Sequence, residues 1–186
     1  MYRLCLLCLF FLAGCVSAPP VHQPVTRPMQ PEHLPFVLSG RIAVKHDGNH
    51  SSSGVRWMHC AESDEILLFA PLGQTVARIR SDPQGATLDM PLKHYEAKDA
   101  DGLTQQVLGW RLPLYGLRYW VLALPAPMGA FDIEHNANGQ VMLLSQDGWV
   151  IRYTRYAAQT SDGLPLRLAM QRDGLEIQLL IDEWEI

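Results

Sequence analysis

Beyond residue 35, hydrophobic and polar positions alternate with a period of two over most of the chain. Phe36, Leu38, Gly40, Ile42 and Val44 share one side of an extended run with more polar neighbours between them. Asp47-Gly48 and a Ser/Asn-rich stretch then turn the chain, and Val55 and Trp57 resume the alternation. Residues 66–69, 74–80 and 86–90 form further short runs, separated by Pro71-Leu72-Gly73 and Asp82-Pro83-Gln84-Gly85. This pattern predicts strands with one buried face. In the C-terminal third, Asn138-Gly139, Asp147-Gly148, Asp162-Gly163 and Asp173-Gly174 mark type I′ hairpin turns, whose two central residues both need positive φ. Between them lie five predicted strands, over 131–134, 141–146, 149–156, 165–171 and 175–184.

The middle of the chain has a different period. Leu103, Val107 and Leu108 fall at helical spacing behind Asp99 or Asp101, either of which can serve as N-cap. After Pro113, suited to a first helical position, Leu114, Leu117, Val121 and Leu124 repeat the spacing until Pro125-Ala126-Pro127 stops it. About ten strands and one or two helices in one domain of residues 36–186 predict a mainly β architecture with some α. The expected form is a curved antiparallel sheet or barrel with helices on its open side. Alternation is the same whether the interior is filled or encloses a ligand.

The N-terminus changes the picture. Met1-Tyr2-Arg3 is a small positive region, and residues 4–12 are apolar but fall short of the roughly 20 residues that span a bilayer. Residues 1–14 therefore read as a signal peptide. Leu12-Ala13-Gly14-Cys15 resembles the bacterial lipobox, which implies lipidation of Cys15. Val16 stands where an inner-membrane retention signal would place aspartate, so the expected address is the periplasmic face of the outer membrane. Residues 15–35 hold six prolines and no apolar period. They read as a tether that reaches up to ~60 Å when extended.

Composition narrows the chemistry. Cleavage removes Arg3 with Cys5 and Cys8, leaving 14 basic against 19 acidic residues and Cys60 as the one free thiol. No intrachain disulfide can form, and the acidic balance argues against nucleic acid. His46 and His50 flank a turn, and neighbours His59 and Cys60 on a strand point to opposite faces, so these histidines read as surface and edge residues and no metal or other cofactor is expected. Ser51-Ser52-Ser53-Gly54 reads as loop. Asp182, Glu183 and Glu185 read as the outer face of a last strand, and no catalytic motif appears. The profile is that of a binding or carrier module, not an enzyme.

Gly40-Arg41-Ile42-Ala43-Val44, Val55-Arg56-Trp57 and Pro71-Leu72-Gly73-Gln74 occur in the order seen in the LolB family. So do Leu112-Pro113-Leu114 with Leu117 and Trp120, then Gly148 to Tyr153, Leu164-Pro165, and Ile181 with Trp184. The chain resembles that family over the mature length; Ala123 is a departure, where the family pattern leads one to expect glycine. The resemblance implies an incomplete antiparallel β-barrel covered on its open side by helices and enclosing an apolar cavity. It also implies a monomer that takes acylated lipoproteins from the periplasmic carrier LolA and inserts them into the outer membrane. Three acyl chains of about 15 methylenes expose apolar surface worth roughly 35 kcal/mol, at ~0.8 kcal/mol per methylene, so cargo cannot cross water unshielded.

Candidate lining residues for the acyl chains are Val44, Trp57, Leu68, Ile79, Leu88, Trp120, Trp149, Ile151 and Leu168. Each could equally pack a core. Leu72, between Pro71 and Gly73, is too tightly placed in its turn to be buried by its own hairpin and is the candidate membrane-contact residue. Arg41, Arg56 and Arg152 sit on apolar strands without an assigned role. Carriage of another lipid, or a structural envelope role with a filled barrel, fits the same residues.

Overall fold

The computed structural model describes Arg27 and residues 34–186. The predicted signal peptide, Cys15 and nearly all of the tether lie outside the described residues. The strands are β1 (Phe36–His46), β2 (Asn49–Cys60), β3 (Ser63–Phe69), β4 (Thr75–Asp82), β5 (Gly85–Met90) and β6 (Lys93–Ala97), then β7 (Phe131–His135), β8 (Val141–Gln146), β9 (Trp149–Tyr156), β10 (Pro165–Arg172) and β11 (Leu175–Glu185). Helices α1 (Ala100–Leu108) and α2 (Leu114–Trp120) connect β6 to β7. All eleven strands form one antiparallel sheet in the order β6-β5-β4-β3-β2-β1-β11-β10-β9-β8-β7. Two meanders thus meet where the first strand pairs with the last, and the sheet stays open between β6 and β7. The strand that alternation misses is β6: Lys-His-Tyr-Glu-Ala is short and polar, with no side chain fully buried.

Turn chemistry divides the predicted hairpins. Asp47-Gly48, Asp147-Gly148 and Asp173-Gly174 have both residues at positive φ, as a type I′ turn requires. At Asn138-Gly139 only the glycine does, and the hairpin closes through Asn136 N to Gln140 O (2.9 Å). Neither Asp162 nor Gly163 adopts positive φ, and both lie in a longer connection closed by Ala157 N to Leu164 O (2.8 Å). The expected loop at Ser51–Ser53 is also corrected. These serines belong to β2 and pair with Val44, Ala43 and Ile42, because the tight Asp47-Gly48 turn hands the chain directly into the ladder.

A bulge bends the central pair. Ser39 opposes Glu183 but Gly40 opposes Ile181, which leaves Asp182 as the extra residue. The slip lets Ile181 and Trp184, an odd spacing apart, both be buried. It also brings strands so close that a Cβ on Gly40 would lie 2.0 Å from the Leu180 carbonyl oxygen. Beside the bulge, Phe36 packs edge-on against Trp57 (5.1 Å) and Trp184 (5.6 Å).

Helix α1 begins at Asp99, whose Oδ1 accepts from Gly102 N at 2.7 Å, and ends at Gly109 with φ of 80°. Pro113 precedes α2 as its cap instead of occupying its first turn, and the helix stops before Leu124. It closes with Ala123 N to Trp120 O and Leu124 N to Tyr119 O, with Ala123 at φ 57°. This is a Schellman ending, and its left-handed position prefers glycine. The backbone conformation therefore favours the glycine expected there over the alanine that this chain carries.

Two buried polar networks fasten α2. Asp64 accepts from Trp57 Nε1 (2.8 Å) and Arg118 Nε (2.8 Å), and His59 Nδ1 lies 2.9 Å from it. Arg118 also donates to the Glu62 carbonyl, tying the helix to the β2–β3 hairpin. His59 is buried, contrary to the surface or edge position expected, because this carboxylate gives it a partner. On the other side, Gln146 accepts from Trp120 Nε1 and Ala126 N and donates to the Ala126 and Met128 carbonyls.

Gly40→Ala is expected to lower stability by about 2–4 kcal/mol, the range of severe steric substitutions, in chemical denaturation. Ala123→Gly is expected to raise it by about 0.5–1 kcal/mol, since relief of left-handed strain exceeds the loss of one methyl. Thermal unfolding would show that gain as a rise of a few degrees.

Candidate functional site

The inward parity of β1 and β2 places Leu38, Ile42, Val44, Val55 and Trp57 on the concave face. With Ile66 and Leu68 of β3, Ile79 of β4, Met170 of β10, and Ile177 and Leu179 of β11, they line a hollow of about 190 Å³. Thr104, Leu108, Trp110, Leu112 and Leu117 complete it from the helical connection, and Ser51, Ser52 and Ser53 from the start of β2. The floor is closed to solvent, with Leu38, Val55, Trp57 and Ile66 all buried. Toward the β1–β2 turn the wall opens: Ile42, Val44 and Leu68 are half-buried, Ser51 and Ser52 exposed, and Leu108 is 46% exposed.

The Trp57 and Thr104 polar atoms are turned to other work. Trp57 Nε1 is held by Asp64. The Thr104 hydroxyl donates to Ala100 O (2.9 Å) and accepts from Leu112 N (2.8 Å), which also fixes the chain after α1. The surface left to a ligand is hydrocarbon, with serine hydroxyls at one rim. Its volume exceeds the ~150 Å³ of an engineered apolar cavity that stays dry and binds benzene. It falls below the roughly 300–1,000 Å³ of a small-molecule pocket.

The candidate lining residues separate. Val44, Trp57, Leu68 and Ile79 line this hollow. Leu88, Trp120, Ile151 and Leu168 are buried in the core outside its wall. Trp149 packs against Trp120 (6.1 Å) and faces a second, more polar hollow of about 250 Å³ with His46, Asp101, Arg111 and Arg172. There burial, reinforced by the charge of Asp99, raises the Asp101 carboxyl above its ordinary range. Strand parity identifies inward residues but cannot tell which stretch of a concave face the helices pack against. Ile42, Ile177 and Leu179 carry the same parity signal and also line the hollow.

The Pro71-Leu72-Gly73 turn stands at the open rim. Gly54 of β2 opposes Phe69 of β3, so the turn begins beside Ser51–Ser53. Gly73 N bonds Ala70 O and Ala70 N bonds Gln74 O, both at 2.8 Å, with Gly73 at φ 82°. Such a turn throws its second corner outward, and Leu72 is 91% exposed. On the outer face, Arg41 lies 3.6 Å from Asp182 and Arg56 3.1 Å from Glu185, so two of the strand arginines bridge strands. Among the described residues no cluster of three or more His, Cys, Asp or Glu could hold a metal ion, and no helix is long and apolar enough to cross a membrane.

Comparison with known proteins shows the family. The family profile "Outer membrane lipoprotein LolB" matches residues 35–184. The outer-membrane lipoprotein LolB of Nitrosomonas europaea is 39% identical over 95% of this chain and 89% of its own length. That of Thiobacillus denitrificans is 38% identical over 94% and 91%, and that of Chromobacterium violaceum 37% over 94% and 93%. With a profile match from the first strand to the last, the chain belongs to the LolB family of outer-membrane lipoproteins.

Proposed function

We propose that this protein is an outer-membrane receptor that accepts acylated lipoproteins from LolA and releases their lipid into the bilayer. The observation that carries this reading is the apolar hollow, in which the Trp57 and Thr104 polar groups are bonded within the protein and whose open rim adjoins the Leu72 turn. Hydrocarbon transfers there without loss of hydrogen bonds, so acyl chains gain roughly 0.8 kcal/mol per methylene buried, as they do in a membrane. A receptor that binds more tightly than the donor and less tightly than the bilayer needs no nucleotide. At about 190 Å³ the hollow holds only part of a triacylated anchor. Uptake then involves displacement of the 104–112 segment from the sheet, or passage of the chains across the open rim.

Lipidated Cys15, on a periplasm-facing tether, keeps the monomeric domain at the target membrane. Leu72 enters the lipid and opens a path for the cargo. The family is one of binding proteins, and the reading requires no cofactor.

The chain from Val16 onward, unlipidated, is expected to take a radiolabelled lipoprotein from LolA without nucleotide. A folded domain that takes none would overturn the proposal in favour of another lipid cargo or a structural role. Leu72→Glu is expected to retain uptake while delivery to vesicles falls at least tenfold, and loss of both would reject that division of labour. Val44→Trp, which adds bulk at a half-buried rim position, is expected to reduce uptake several-fold with little change in the unfolding midpoint.

A further inference from the structure

We infer that Leu92, at the tip of the β5–β6 hairpin, is a second membrane-inserting residue that acts with Leu72 to set the open rim of the hollow against the bilayer. The inference rests on the reading of Leu72 given above and extends it to a hairpin without an assigned role.

Sheet register places five hairpin turns at one end of the molecule. Lys45 opposes Glu176 and Gln171 opposes Val150, so the turns at 47–48, 173–174 and 147–148 stand together. Gly54 opposes Phe69 and Arg78 opposes Asp89, which brings the turns at 70–74 and 91–92 to the same end. Three of these turns are Asp-Gly, and each puts a carboxylate at its tip. The other two are Pro-Leu, Pro71-Leu72 and Pro91-Leu92, and they neighbour each other at this end of one half of the sheet.

Leu92 is fully exposed, more so than Leu72, and sits at φ 71°. Glycine or asparagine adopts that conformation at least cost, and a bulky residue there is uncommon. A leucine held in a disfavoured backbone conformation with its side chain wholly in water gives the fold nothing. Strain of this kind points to function. Val76 (37% exposed) and Met90 (39%) flank the two tips. No charged residue occurs between Glu65 and Arg78, or from Met90 to Leu92.

The occupant this surface fits is a lipid bilayer. Separate convex tips offer little area to a folded protein, which needs a continuous complementary patch, whereas a fluid membrane closes around each one. The tether reaches far enough. Arg27 N bonds Asp162 O at the opposite end of the sheet, and the twelve residues back to Cys15 extend ~37 Å. An eleven-residue strand such as β1 is about 36 Å long, so an anchored domain can lie with its tips in the membrane.

The test uses the full lipidated protein with Cys60→Ser, reconstituted in phosphatidylethanolamine–phosphatidylglycerol vesicles. An environment-sensitive dye is attached at Leu92→Cys, at Leu72→Cys, or at Asn138→Cys on the opposite end. Brominated acyl chains are expected to quench the dye at 92 and 72 and to leave 138 unaffected. Quenching at 72 without 92 would overturn this inference and leave the proposed function standing. Quenching at neither tip would remove both membrane contacts, and a dye at 92 that responds to LolA and not to vesicles would assign the tip to a protein partner and overturn the inference. Leu92→Asn relieves the backbone while removing the apolar group. It is expected to slow delivery to vesicles about tenfold, the lower end for loss of a buried leucine, with uptake unchanged; unchanged delivery would also overturn the inference.

Discussion

The pairing of β1 with β11 holds the molecule together as one surface. Each meander is local, built from hairpins whose partners are neighbours in sequence. The first and last strands join the two meanders into one concave face, and the hollow lies across that seam, with Leu38, Ile42 and Val44 on one side and Ile177 and Leu179 on the other. The seam is also where the sheet bends. The Asp182 bulge and the missing side chain of Gly40 allow a close approach that a flat ladder would forbid. Loss of this pairing would leave two strips with no shared interior.

Helix attachment depends on that frame and decides how much of the face remains open. One end of α2 is tied through Arg118 and Asp64 to the β2–β3 hairpin, and the other through Trp120 and Gln146 to β8. Tyr153 of β9 adds a bond from its Oη to the Trp120 carbonyl at 2.7 Å, and its burial raises the phenol well above its ordinary range. Where these ties hold the helix, the core around Ile151, Leu168 and Trp120 is solid. Along the 104–112 segment, hydrocarbon faces hydrocarbon across a gap. Dispersion contacts across a partly empty space are weak, and in the proposed function this is the segment that gives way to an entering chain.

The ends of the sheet are specialised as well. Asp-Gly turns give three hairpins tips that favour water, and Pro-Leu turns give two others tips that favour lipid. Both solve the same problem of reversing a strand pair, so their difference is one of surface chemistry. In the proposed function it gives the molecule an orientation relative to a membrane that the tether alone would not impose.

Much of this was legible in the sequence. Period-two alternation located ten of the eleven strands, Asp-Gly located three true type I′ turns, and the lipobox with its proline-rich tether set the expected address. The resemblance to LolB supplied the family. Such signals are local: alternation reflects which face a residue takes, and turn residues reflect their own φ. The structure alone decided the rest. It showed that Asp64 and Arg118, 54 residues apart, make one half-buried pair, that Asp162-Gly163 is no hairpin turn, and that Ser51–Ser53 are strand. It also separated Val44, Trp57, Leu68 and Ile79 from Leu88, Trp120, Trp149, Ile151 and Leu168. All of these are inward-facing and apolar, and whether such a residue meets a helix or an empty space depends on where distant segments dock, which no spacing along the chain records.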